Sequence, residues 1–167
     1  MSLLKFSQAL IFILASTLSL TSHAALNKNE REIVKQVEQN MPQALKEIEQ
    51  AVNINSGSLN IEGVKKVGAL ASEQLKAIGF KVEWLDGSTF NRAGHVLATH
   101  ESNDPDAIKI LMIGHLDTVF AKHDDFTTYK QIDEHTASGP GVADMKGGNT
   151  IIITALTSLQ ALTLLEN

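Results

Sequence analysis

Apolar side chains recur every three or four positions along two stretches early in the chain, which predicts two amphipathic helices. The first covers residues 27–52, and Pro42 is expected to kink it or split it in two. The second covers residues 61–78 and is predicted to stop at Gly79. Residues 53–60, NINSGSLN, are rich in Asn, Ser and Gly, so they are predicted to form the loop between the two helices.

The pattern then changes to one typical of strands. Residues 80–85, FKVEWL, alternate apolar and polar, which predicts a half-exposed strand, and residues 95–99 give a weaker signal. Residues 108–114, IKILMIG, are almost continuously apolar, as in a strand covered on both faces. The last stretch, residues 149–167, is apolar nearly all round, and a helix of that kind expects neighbours on every side. This order of elements predicts an α/β domain with a mixed central sheet flanked by helices.

Residues 1–24 have the pattern of a secretory signal peptide. They contain one charged residue, Lys5, then the apolar run ALIFILASTLSL and the small-residue step Ser-His-Ala. That run is shorter than the roughly 20 residues that a membrane-spanning helix needs. We therefore expect cleavage after Ala24, export, and a periplasmic or secreted mature chain.

The composition of this mature chain limits the partners and metal ligands that it can have. Without residues 1–24 it has 13 basic and 19 acidic side chains, a formal net charge of −6 with histidine neutral. It has no basic run, and aromatic residues make up only 5% of the full sequence, which argues against a nucleic-acid partner. The chain has no cysteine, so a metal site would be built from His, Asp and Glu.

Two polar residues follow the apolar run 108–114, in the sequence HLDTVF. His115 and Asp117 would lie at the carboxyl end of the predicted strand, where functional groups gather in open α/β sheets. Residues two apart share a face, and a carboxylate beside a histidine can fix its tautomer and raise its basicity. Spacing alone is weak evidence, because His123 and Asp125 repeat it in a polar segment that is interpreted as a surface loop.

A glycine-rich segment, SGPGVADMKGG at residues 138–148, contains Asp144. One interpretation makes Asp144 a helix cap and the glycines a tight turn. The other makes Asp144 a metal ligand together with His115, since zinc accepts mixed imidazole and carboxylate ligands. In a non-catalytic domain both would instead be buried polar groups satisfied by hydrogen bonds.

The two segments LMIGHLDTVF and SGPGVADMKGGN together resemble the paired signature of the dizinc metallopeptidases. That family includes glutamate carboxypeptidase, acetylornithine deacetylase, succinyl-diaminopimelate desuccinylase and aminoacylase. The sequences of the two motifs are closest to those of the exported glutamate carboxypeptidase branch, and residues 52–83 are similar to the usual start of that branch's domain. The resemblance implies a zinc-exopeptidase-like (phosphorylase/hydrolase-like) catalytic domain. Residues 25–167 would be its N-terminal portion, with the remainder and the lid or dimerisation domain absent.

The resemblance also implies roles for individual residues. His115 matches the imidazole ligand of one zinc, Asp117 the catalytic aspartate that orients this imidazole, and Asp144 the carboxylate that bridges two zinc ions. The peptide bond from Asp144 to Met145 matches one that is cis in the family. The family's general base, the first of two adjacent glutamates further along, has no match, because Glu166 comes too early and is followed by Asn.

The implied function is that of a zinc-dependent metallopeptidase of the glutamate carboxypeptidase type. Such an enzyme holds two Zn²⁺ per complete active site and uses a metal-activated water to release a C-terminal amino acid from a small peptide or N-acyl amino acid. Full-length family members are often homodimers. We expect no membrane partner after signal cleavage, weak zinc binding and no turnover by this chain alone. The alternatives are a deacylase or dipeptidase of the same family, and a non-catalytic periplasmic remnant or binding domain.

Overall fold

The computed structural model of the chain describes residues 25–102, 104 and 106–165. The described residues up to Arg31 and those from Glu32 onward belong to two separate units. The predicted signal peptide and Glu166 lie outside the described residues. Among the described helices, none is both long enough and apolar enough to cross a membrane.

Helix α1 spans Lys28–Val52. A reciprocal capping box starts it: the backbone N–H of Asn27 donates to the Glu30 carboxylate at 2.7 Å, and that of Glu30 donates to Asn27 Oδ1 at 3.0 Å. Pro42 lies inside a single continuous helix, so of the two expected effects, a kink or a split, the split is wrong. The helix continues because a proline removes only one backbone donor while the turns on either side keep theirs.

Helix α2 spans Ile61–Ala77 and follows the predicted loop. Asn60 caps its first turn by accepting a hydrogen bond from the backbone N–H of Gly63 at 3.3 Å. Ile78 is the C-cap residue of the helix, and Gly79 then takes a left-handed conformation with φ of 89°. That is the C-terminal stop predicted from the glycine, which adopts this conformation at little steric cost.

Two strands form an antiparallel hairpin on which α2 packs. Strand β1 spans Lys81–Asp86 and β2 spans Gly94–Thr99, with a short 3₁₀ helix at Ser88–Phe90 between them. Gly68 of α2 lies against the Trp84 ring, where a Cβ would come within 2.6 Å of the ring carbon Cζ3. The absence of a side chain at Gly68 therefore lets the helix approach the sheet closely.

Residues 108–114 do not form the buried strand that their apolar composition predicts. They pair with no strand in the described part of the chain, and the side chains of Ile108 and Ile113 are 88% and 78% exposed. A buried strand needs hydrogen-bonded neighbours and a covering layer on each face, and the described residues provide neither here. The prediction fails because an apolar composition favours burial but does not specify the neighbouring strands that a buried strand needs.

The remaining regular structure is small. Strands β3, Lys130–Gln131, and β4, Ala137–Ser138, form a second antiparallel pair, and Gly57 forms an isolated parallel bridge with Thr118. Helices and small sheets thus confirm the mixed class. The sheets described are two separate antiparallel pairs, in place of the mixed central sheet that we expected.

Helix α3 spans Lys146–Ala161 and packs only part of its apolar surface. Ile153 and Leu156 are buried, whereas Ile151 is exposed. A polar contact joins it to α1, since the Asn40 side-chain amide donates to Ser158 Oγ at 3.0 Å. The expectation of neighbours on every side of this helix is therefore not met among the described residues.

We expect Gly63→Ala to lower the free energy of unfolding by roughly 2 kcal/mol or more. An alanine Cβ would overlap the backbone carbonyl oxygen of Asn55 and would come within 2.7 Å of the Asn60 side-chain amide. The backbone oxygen has no flexible end that could move aside. Urea unfolding, followed by the fluorescence of Trp84, the single tryptophan, measures the loss.

Gly148→Ala is the matched control in the first turn of α3. Its Cβ would meet only the side chain of Met145, at 3.1 Å from the terminal methyl group. We expect a neutral change or a gain of up to about 1 kcal/mol from the better helix propensity of alanine. Equal destabilisation by the two substitutions would contradict the proposed close contact at Gly63.

Candidate metal centre

The two sequence motifs line one cavity, although they are far apart in the chain. Its volume is about 330 Å³, and its walls come from residues 115–120 without Leu116, residues 139–144 without Pro140, and Ser58. Gly141 permits the close approach of the two segments. It has a φ of 80°, and a Cβ on it would come within 2.7 Å of Thr118 Cγ2.

His115 and Asp144 are in direct contact in this cavity. The distance from His115 Nε2 to Asp144 Oδ1 is 2.9 Å. Asp144 lies at the end of the glycine-rich segment, just before α3, and its peptide bond to Met145 is cis, as the family resemblance implies. No side-chain cap bond forms at the start of α3, so the interpretation of Asp144 as a helix cap is wrong.

The other ring nitrogen of His115 faces Asp117. His115 Nδ1 lies 3.0 Å from the backbone oxygen of Asp117 and 3.3 Å from its carboxylate oxygen Oδ1. A carbonyl oxygen can only accept a hydrogen bond, so this contact places a proton on Nδ1. The arrangement leaves Nε2 directed at Asp144, the orientation that metal binding by the imidazole requires.

Both nitrogens of this imidazole therefore face oxygen acceptors, which favours the protonated ring. The pKa of His115 is raised above its ordinary 6.5, chiefly by the hydrogen bond to Asp144. Partial burial opposes this shift, while the Asp117 carbonyl and the charges of Asp144 and Asp117 reinforce it. A proton and a metal cation would compete for the same position at Nε2.

The donor set fits zinc in type but is incomplete. Ligand atoms held by a tetrahedral zinc at ~2.0–2.1 Å lie roughly 3.3 Å apart, so a small outward movement of Nε2 and Oδ1 would admit an ion between them. The side chain of Asp144 is 89% exposed and therefore accessible to a second ligand or ion. Within the described ranges, however, no cluster of three or more His, Cys, Asp or Glu residues could hold a metal.

His123, the second histidine with a nearby aspartate, stays outside this arrangement. Its side chain is exposed, and it does not line the cavity. Asp124 beside it accepts a hydrogen bond from the backbone N–H of Ala121 at 2.6 Å, which is a local turn contact. The structure thus agrees with the interpretation of this second pair as part of a surface loop.

Asn149 is a site residue that the sequence analysis did not identify. Its side-chain amide donates to the backbone oxygen of His115 at 2.7 Å, so the first turn of α3 holds the histidine backbone. Gly114 makes room for this contact, because a Cβ there would overlap Asn149 Oδ1. The available signal was a polar residue directly after Gly147-Gly148 at the start of an apolar helix.

Lys146 is a second residue whose importance appears only in the structure. Its side chain is 2% exposed, and Nζ donates to the backbone oxygen of Ile54 at 2.8 Å. Burial lowers the pKa of Lys146 to about 8. The contact joins the start of α3 to the loop at residues 53–60, which also bonds to the segment around Thr118.

A histidine held between two carboxylates in an open cavity defines a candidate metal-dependent hydrolase site. No family model matches the chain. Carboxypeptidase G2 of Pseudomonas sp. (strain RS-16) is 28% identical over 141 residues, which cover 82% of this chain and 32% of that protein. The chain therefore spans about a third of the length of this curated relative.

Two solved structures share the fold. Human carnosine dipeptidase 1 superposes with a TM-score of 0.67 at 19% identity, over 82% of this chain and 32% of its own. The dipeptidase Dug1p of Saccharomyces cerevisiae superposes with a TM-score of 0.64 at 25% identity, over 78% and 31%. These similarities to a carboxypeptidase and two dipeptidases agree with the resemblance that the paired motifs carry. The metal-ligand roles of His115 and Asp144 stay predictions.

We expect Asp144→Asn to lower the pKa of His115 toward 6.5 in the metal-free chain. The substitution removes the charge and weakens the hydrogen bond that favours the imidazolium ion. Because the pKa of His115 is raised in the folded state, its contact with Asp144 stabilises the fold below about pH 6.5. This stabilisation is lost as the pH rises through the folded-state pKa. A histidine NMR titration measures the shift.

Asp124→Asn is the control for this titration, because Asp124 bonds within a local turn and does not line the cavity. It should leave the His115 curve in place. A His115 pKa that is the same in the wild-type chain and in Asp144→Asn would show that the contact at Nε2 does not form in solution.

Proposed function

We propose that this chain is part of a zinc-dependent metallopeptidase of the glutamate carboxypeptidase type. The observation that carries the proposal is the 2.9 Å contact between His115 Nε2 and Asp144 Oδ1, which joins two motifs across one open cavity. The name of the relative carboxypeptidase G2 supports the release of a C-terminal amino acid. The substrate would be a small peptide or an N-acyl amino acid.

Each residue has a distinct part in this proposal. His115 would bind one zinc ion through Nε2, and Asp144 would bridge two through its accessible carboxylate. Asp117 would hold the imidazole by accepting a hydrogen bond from its Nδ1–H. Bound zinc supplies positive charge that polarises a carbonyl group and lowers the pKa of water, which is the chemistry that amide hydrolysis requires. The cavity leaves this face open to a substrate.

The isolated chain is proposed to bind zinc weakly and to lack turnover. The described residues bring together two ligands, His115 and Asp144, whereas a structural zinc normally takes four. The described segments also contain no pair of adjacent glutamates to act as general base and ligand. Activity would therefore need further metal ligands and a general base beyond the described residues.

A dipeptidase is the second candidate within the same chemistry. The structural neighbour Dug1p, at 25% identity, is named as a dipeptidase, and the residues that choose the substrate are not identified in this chain. A non-catalytic domain is the third outcome, in which the contact between His115 and Asp144 is only a satisfied hydrogen bond.

We expect the purified chain to bind zinc weakly and Asp144→Ala to weaken that binding at least about 10-fold, because one of two ligands is lost. Asp124→Ala is the matched control and should bind as the wild type does. Equilibrium dialysis with metal analysis measures the affinity. Zinc binding that is unaffected by Asp144→Ala would favour the non-catalytic domain.

Substrate hydrolysis completes this test. The chain alone is expected to release no product from an N-acyl glutamate, from N-acetylornithine or from a dipeptide. Hydrolysis that Asp144→Ala abolishes would contradict the proposed inactivity of the chain and would support the enzyme directly. In the longer protein, faster cleavage of the N-acyl glutamate supports a carboxypeptidase, and faster cleavage of the dipeptide supports the second candidate.

We also propose that residues 1–24 direct export, on the basis of their signal-peptide pattern. Expression in a bacterial host should give a periplasmic or secreted product whose first residue is Ala25. Leu14→Arg interrupts the apolar run and should leave the product uncleaved in the cytoplasm. N-terminal sequencing of the product from each cell fraction measures the cleavage site and the location. A cytoplasmic wild-type chain that retains Met1 would contradict export.

A further inference from the structure

Ser58, in the loop at residues 53–60, directs its hydroxyl at the candidate site. Its Oγ lies 2.5 Å from Asp117 Oδ2 and 3.3 Å from the backbone oxygen of Thr118. A serine hydroxyl has one proton to donate. The carboxylate oxygen is the closer acceptor, so the proton goes to Asp117.

The two carboxylate oxygens of Asp117 consequently have different partners. Oδ2 accepts from Ser58, while Oδ1 lies 3.3 Å from His115 Nδ1. The terminal torsion of an aspartate has a broad energy profile, so the plane of its carboxylate is set by its contacts. The Ser58 hydroxyl fixes that plane and leaves Oδ1 turned toward the imidazole.

Other contacts hold the Ser58 backbone in place independently of its hydroxyl. The backbone N–H of Ser58 donates to Thr118 O at 3.1 Å, and that of Thr118 donates to Ser56 O at 2.8 Å. The Asn55 side chain donates to Ala121 O at 3.0 Å. Gly57 has no space for a Cβ, which would overlap the backbone oxygen of Phe120. The hydroxyl therefore projects from a fixed support.

We infer that Ser58 is a positioning residue that acts on His115 through Asp117. The line of contacts runs from Ser58 Oγ to Asp117, from Asp117 to His115 Nδ1, and from His115 Nε2 to Asp144. The inference rests on the proposed function only in assigning metal binding to His115. The geometric part, control of the imidazole by the Ser58 hydroxyl, holds for the metal-free chain.

A double-mutant cycle on the metal-free chain tests the geometric part. The ring ¹⁵N shifts of His115 are recorded by NMR at one pH and assigned by their loss in His115→Gln. We expect Ser58→Ala to change these shifts and Ser58→Thr, which keeps the hydroxyl, to restore them. In an Asp117→Ala background, Ser58→Ala should produce no further change, because Asp117 is the link between the two residues.

Ser56→Ala is the control in the same loop. Ser56 is buried, and its Oγ has no hydrogen-bond partner among the described residues, so its removal should leave the His115 shifts unchanged. The inference would be overturned by unchanged shifts in Ser58→Ala, by an equal change in Ser56→Ala, or by a full Ser58→Ala effect without Asp117. A change that Ser58→Thr does not restore would be a fourth contradicting result.

Cobalt(II) is the probe for the metal-dependent part. We expect Ser58→Ala to weaken cobalt binding about 10-fold, as loss of the groups that orient a metal-binding histidine commonly does. Visible absorption measures binding, and Ser56→Ala should bind as the wild type does. A wild-type chain without a cobalt spectrum would contradict the proposed metal site, while the NMR cycle would still decide the role of Ser58.

Discussion

The close approach of two loops is the constraint on which the candidate site depends. His115 and Asp144 are 29 residues apart in the chain, and their side chains meet at 2.9 Å. That approach requires a glycine at position 141, where the backbone is left-handed and a Cβ would press on Thr118. A residue with a side chain there would have to displace the Thr118 methyl group and adopt a strained left-handed backbone.

Polar contacts, more than an apolar core, hold these loops together. The buried Lys146 binds the backbone of Ile54, Asn149 binds the backbone of His115, and Ser58 binds Asp117. The apolar segment that directly precedes His115 contributes little, since residues 108–113 are largely exposed. A site fixed by directional bonds keeps its side-chain orientations well defined, because each bond constrains an angle as well as a distance.

The same contacts prepare the imidazole electrostatically. One carboxylate and one carbonyl face its Nδ1 side, and a second carboxylate faces Nε2. Surroundings of this kind favour a positive charge at the ring, whether it is carried by a proton or by a cation beyond Nε2. The raised pKa of His115 and the proposed metal binding therefore have a common physical origin in the placement of Asp117 and Asp144.

The sequence by itself determined what depends on local pattern. Helical periodicity and Gly79 located α2, and alternation located β1. Two motifs marked His115 and Asp144 and carried the family resemblance. Only the tertiary structure decided whether residues 108–114 form a paired strand, and which contacts Ser58 and Asn149 make. A helix makes its hydrogen bonds within itself, whereas a strand and a positioning contact need partners distant in the chain, which composition does not specify.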